Sequence, residues 1–102
     1  MPTKYRAKKV TVDGIRFDSI KESHRYLELK TLQQAGVITN LELQPRYDVV
    51  VNGQKICYYK ADFRYMENGA QVIEDVKGMR TPIYRLKKKL VEALYPIKII
   101  EV

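Results

Sequence analysis

A chain of 102 residues, 45% of them hydrophobic, is long enough to bury one core and too short for two domains. That hydrophobic content is not the composition of a disordered chain, and the net charge of +7 points to a polyanionic partner, nucleic acid first; basic charge that serves only solubility is the competing reading. No apolar run approaches the roughly 18 residues of a membrane span, "MPTKYRAKKV" lacks the apolar stretch of a signal peptide, and the single Cys57 excludes an internal disulfide, so a cytoplasmic location is expected.

In chain order, residues 1–9, with Lys4, Arg6, Lys8 and Lys9, read as a basic flexible arm, and residues 10–102 as a single domain. Two short β-prone runs flank Asp13-Gly14, a hairpin signal. A helix follows, with Ser19 as N-cap, Glu22 completing a capping box, and Gly36 at its end. Glu22, Tyr26, Leu29 and Leu32 share one face of it. Three strand candidates come next. "PRYDVVV" ends at Asn52-Gly53, "KICYYKADFRYM" ends at Asn68-Gly69, and "AQVIEDVKG" is the third. The two Asn-Gly turns predict an antiparallel meander. Tyr59, Ala61, Phe63 and Tyr65 would alternate onto one face of the second strand, with Lys60, Asp62 and Arg64 on the other. Thr81 and Pro82 start a second helix with an apolar stripe of Ile83, Leu86, Leu90 and Leu94. "IKIIEV" closes the chain as a strand, parallel to its neighbour across the helical crossover.

The third strand carries two adjacent acids and a lysine in an apolar run. Strand alternation puts Asp75 and Lys77 on one face with Ile73, and Glu74 on the other with Val72 and Val76. Glu74 therefore pairs with a basic group elsewhere or lies near a sheet end. If Asp62 shares the Asp75 face, two carboxylates and a lysine converge. A hard cation such as Mg²⁺ takes such carboxylates, with waters and phosphate oxygens completing its shell. The alternative is an ordinary charge pair on a solvated face.

The order of elements, with Asp62 on the second strand and Asp75-Val76-Lys77 on the third, resembles the PD-(D/E)XK nuclease superfamily from about Ser19 onward. More narrowly, "FDSIKE", Gln44-Pro45, "IEDVKG" and Thr81, Tyr84, Lys87 and Lys89 resemble small phage and prophage proteins related to Holliday junction resolvases and phage endonuclease I. The resemblance implies a restriction-endonuclease-like α/β fold: a mixed four-stranded core sheet in the order helix, three-strand meander, helix, strand, with an N-terminal β-hairpin. It implies Glu22, Asp62 and Asp75 as metal-binding acids, the Val76 carbonyl as a further ligand, and Lys77 as the catalytic lysine. It implies Mg²⁺ as cofactor, with Mn²⁺ as a substitute, and hydrolysis of phosphodiesters in branched DNA during phage recombination or DNA processing, in a bacterial host. Ala61 stands where the superfamily often has proline, and the tripeptide acid is Asp where Glu is commoner.

A capping box explains Glu22 without metal, although its helical face also carries Tyr26 and Leu29. His24 reads as a surface residue. Gln44 matches a family position near the site, or is a polar residue entering a turn. Free N–H groups at the second helix's start bind phosphate well, and Arg80, Thr81, Tyr84, Arg85, Lys87 and Lys88 surround that end. They read as nucleic-acid contacts, against the alternative of a solvated basic face. The reading is a Mg²⁺-dependent DNA endonuclease. It is expected to be a homodimer, because symmetric cleavage of a junction takes two sites. Its rivals are a non-catalytic nucleic-acid-binding phage protein of the same fold, and a phage assembly factor.

Overall fold

The computed structural model describes residues 9–76 and 80–102. Lys77, and all of the expected arm except Lys9, lie outside the described residues. The order is β1 (Val10–Val12), β2 (Ile15–Phe17), α1 (Ile20–Gln34), β3 (Thr39–Leu43), β4 (Arg46–Val51), β5 (Gln54–Lys60), β6 (Phe63–Glu67), β7 (Ala70–Asp75), α2 (Pro82–Leu94) and β8 (Ile99–Glu101). It is a mixed α/β fold, as expected. Its core sheet has the order β3-β6-β7-β8, with β7 and β8 parallel across the α2 crossover and the other pairs antiparallel. β1–β2 and β4–β5 are separate two-stranded ribbons. No described helix is long and apolar enough to cross a membrane.

Local chemistry explains the element ends. Ser19 Oγ accepts from the Glu22 N–H at 3.0 Å, and Thr81 Oγ1 from the Tyr84 N–H at 3.1 Å, each satisfying an otherwise orphaned helical donor. α1 closes in a Schellman motif. Gly36 takes φ of 79°, its N–H donates to Gln33, and the Val37 N–H donates to Leu32. Asn52-Gly53, with φ of 51° and 77°, makes the tight turn that the twist of the β4–β5 ribbon favours.

Three expectations about packing need correction. "KICYYKADFRYM" is not one strand, because it breaks at Ala61–Asp62 into β5 and β6. Among the described residues the first strand of the meander, β4, pairs only with β5, and β3 takes its expected place beside β6. The break also changes which face is buried. Tyr59 and Ala61 join the core under α2, while Phe63 and Tyr65 join the core under α1. The cause is a corner at Gln44-Pro45. Gln44 adopts φ of 52°, its N–H donates to the Asp62 carbonyl at 2.9 Å, and the Ala61 N–H donates to the Pro45 carbonyl at 3.1 Å. That contact turns both chains out of the core sheet together.

The third correction is the apolar stripe of α2. Tyr84 and Val91 face the core and Leu90 packs half-buried against it, whereas Ile83, Leu86 and Leu94 are exposed at 65%, 57% and 45%. Adjacent helical residues differ by about 100°, so the helix is rotated about one residue from the leucine-based expectation. Two polar contacts fix that rotation: the Tyr84 hydroxyl donates to Glu101 at 2.7 Å, and the Ile99 N–H donates to Glu92 at 2.8 Å.

Candidate functional site

Of the sequence-derived residues, Asp62, Asp75 and Val76 meet at the C-terminal end of β7. The β6–β7 register sets Phe63 against Glu74, so the next step brings Asp62 beside Asp75. The Asp62 N–H donates to the Glu74 carbonyl at 3.0 Å. Asp62 Oδ2 accepts from the Val76 N–H at 2.7 Å. A carboxylate is thus clamped to the backbone at the end of the neighbouring strand.

Alternation on β7 holds as expected. Ile73 packs in the core under α2, and Asp75, two residues on, shares that face and is fully buried. Glu74 points the opposite way, toward α1, and is 2% exposed. Its partner is Arg25, whose Nε and Nη2 donate to the two carboxylate oxygens at 2.8 and 2.6 Å, a fork-like pairing. The Tyr65 hydroxyl donates to the same carboxylate. Hydrogen bonding to Glu74 raises the Arg25 pKa further above its ordinary value. Glu74 is therefore an anchor between β7 and α1, as its strand face implied. Arg25 and Tyr65 were missed in the sequence. The signal was present, since Arg25 lies one helical turn after Glu22, and Tyr65 shares Glu74's sheet face diagonally across the ladder.

Glu22 is buried in the first turn of α1, the helix that covers the Glu74 face. Asp75 faces α2. Among the described residues, no three acidic, histidine or cysteine side chains form a cluster that could hold a metal ion. Mg²⁺ is commonly held by one or two carboxylates, with waters and substrate phosphates filling its remaining positions. Asp62, just before β6, and Asp75, at the end of β7, are two carboxylates of that kind. A cavity of about 280 Å³ opens beside this strand end, lined by Lys21, His24, Arg25, Glu28, Val76 and Val102. His24 is exposed in its wall.

The residues around the start of α2 divide by role. Arg80 and Lys88 pair with Glu101, at 2.8 and 3.8 Å. Thr81 caps the helix, and Tyr84 is buried. Arg85 is exposed and Lys87 half-buried. Hydrogen bonds from Tyr84 and Arg80 hold the Glu101 carboxyl below its ordinary pKa. Gln44, a polar residue of ambiguous role in the sequence, positions Asp62 through its backbone N–H.

Burial first, and donation to Glu74 and Glu101 second, push the Tyr65 and Tyr84 hydroxyl pKa values up. The unfolded chain then loses these protons before the folded one does. Their stabilisation is complete below the unfolded value near 10 and is lost as pH rises toward the folded values. The urea midpoint is expected to stay level below about pH 9 and to fall as pH rises through about 10 and beyond, and Tyr65→Phe should flatten that fall. An unchanged slope in Tyr65→Phe would refute the assignment.

No curated protein and no solved structure matches the chain. A family model described as "Protein of unknown function (DUF1064)" matches residues 2–100, and the chain belongs to that family.

Proposed function

We propose that this protein is a divalent-metal-dependent DNA endonuclease acting on branched DNA of the Holliday junction type, with phage recombination or DNA processing as its setting. The observation that carries this reading is the clamp between Asp62 and the Val76 N–H, which sets two carboxylates at the end of a rigid core sheet. Asp62, Asp75 and the Val76 carbonyl would hold the ion, whereas Glu22 lies on the α1 side, away from the face that Asp75 shares with Ile73. A bound divalent ion lowers the pKa of water and offsets charge that grows on phosphorus. Lys77, next in sequence after Val76, orients the attacking water or stabilises the developing negative charge. The net charge of +7 supports sequence-independent binding to phosphates, so affinity should fall steeply with salt. Two copies, related by a two-fold axis, would supply the two cuts a junction needs.

The test is a panel of branched and linear DNAs incubated with Mg²⁺, Mn²⁺ or EDTA, with light scattering on the same samples. Expected is cleavage by a dimer in either metal, none in EDTA, and binding in all three. Binding without cleavage throughout would favour a non-catalytic module, and a monomer with full cleavage would remove the dimer.

A further inference from the structure

The β4–β5 ribbon carries an aromatic ring among cations. Tyr58 is 44% exposed. The Arg46 guanidinium lies 4.1 Å from its ring centroid, and the Lys60 and Lys87 ammonium groups each lie 5.9 Å away. Arg46 is also paired with Asp48 at 3.1 Å, which offsets part of its charge. Lys60 is exposed and Lys87 half-buried. The three cations come from two elements that are distant in sequence, β4–β5 and α2.

The ring is one wall of an open groove of about 360 Å³. Thr81, Ile83 and Tyr84 of the α2 start form the other wall, with Lys87 a turn further on. Tyr84 packs in the same core as Ile73, so the groove lies on the side of the sheet that Asp75 faces.

The groove therefore offers an aromatic ring whose one face Arg46 already covers, an apolar neighbour in Ile83 that is 65% exposed, and positive charge around them. A nucleotide has the complementary parts: a planar base and phosphates on each side. A base inside a duplex is stacked on both faces, so only an unpaired base can lie on the ring. An acidic peptide would match the charge but has no comparable planar group in each residue.

We propose that this groove takes an unpaired nucleotide of the DNA substrate, its base stacked on the face of Tyr58 opposite Arg46 and its flanking phosphates held by Lys60 and Lys87. This rests on the DNA reading above and narrows the substrate to DNA with a locally open strand, as at a fork or branch point. The exposed side of α2, with Ile83, Leu86 and Leu94, makes a second copy of the chain the competing occupant.

The experiment measures fluorescence anisotropy in EDTA, with a labelled forked DNA and a blunt duplex of equal length. Tyr58→Leu keeps apolar bulk and removes the π-face. It is expected to weaken fork binding about tenfold and to leave duplex binding unchanged. Tyr58→Phe should retain the preference for the fork. Lys87→Gln should lower the slope of log affinity against log salt by about 0.7, one phosphate contact on a single strand. The assignment is overturned if Tyr58→Leu binds the fork as the parent does, or weakens on both DNAs alike. It is equally overturned if that substitution converts a dimer to a monomer in sedimentation. Binding is read without metal, so the two readings fail separately. A chain that shows the Tyr58 effect but never cleaves in Mg²⁺ removes the nuclease and keeps the groove. Metal-dependent cleavage with fork binding indifferent to Tyr58 does the reverse.

Discussion

Asp75→Asn is expected to abolish metal-dependent cleavage while leaving DNA binding in place, and Glu74→Gln is expected to do the opposite of a catalytic lesion: it should cost stability and spare chemistry. The two residues are adjacent, yet they face opposite sides of β7. Asp75 shares the α2 face with Ile73, beside Asp62, whereas Glu74 is held by Arg25 and Tyr65 on the α1 face. Asparagine keeps the shape of Asp75 and removes its charge. Loss of one group that stabilises transition-state charge costs about 10²–10³ in rate, and removal of a charged metal ligand belongs at the upper end. Asp62→Asn should match it, because the proposed ion would lose the other strand carboxylate. The measurement is single-turnover cleavage of a branched DNA in Mg²⁺, with circular dichroism to confirm the fold. Full-rate cleavage by Asp75→Asn, together with a dead but folded Glu74→Gln, would exchange the two roles and remove the proposed metal set.

The largest effect on stability is expected at Arg25. Glu74 is 2% exposed in its side chain and Arg25 26%, so the two halves of the pair are not equivalent. Arg25→Met leaves a buried carboxylate without its counter-charge, which costs about 3–5 kcal/mol. Glu74→Gln leaves a cation that water already reaches and retains an acceptor for Tyr65, so its cost should be about 1–3 kcal/mol. The double substitution Arg25→Met with Glu74→Leu should recover part of the loss, since an apolar pair of similar volume replaces a desolvated ion pair. Urea denaturation of the parent, Arg25→Met, Glu74→Leu and the double closes the cycle and gives the coupling energy. Strict additivity would mean that the fork between α1 and β7 contributes nothing.

The elements were legible because their signals are local. Ser19 and Thr81 cap helices through atoms three residues away. Gly36 ends α1 by its own φ, and Asn52-Gly53 turns a ribbon by theirs. The opposed faces of Glu74 and Asp75 follow from the pleat alone. The break at Ala61–Asp62 was not legible. It depends on Gln44 and Pro45, some seventeen residues away, and the alternation of Tyr59, Ala61, Phe63 and Tyr65 continues across it unchanged. All four are buried, but in two cores on opposite faces, a distinction that a pattern of period two does not contain.

Both helices, the N-terminal hairpin, the Asn-Gly turns, the parallel return of β8 and the candidate acids were readable from local sequence, since capping, turn chemistry and strand alternation act over a few residues; β3 at Thr39–Leu43 was not. Tertiary structure alone decided how those pieces face one another. The rotation of α2 was set by Tyr84 on Glu101 and Glu92 on the Ile99 N–H, not by its leucines. The counter-charge of Glu74 came from Arg25, 49 residues earlier. Asp62 met Val76 only because two chain corners hydrogen-bond to each other. The physical reason is the same in each case. A buried polar group must find a partner wherever in the chain one is available, and that requirement orients elements whose own sequences leave their orientation open.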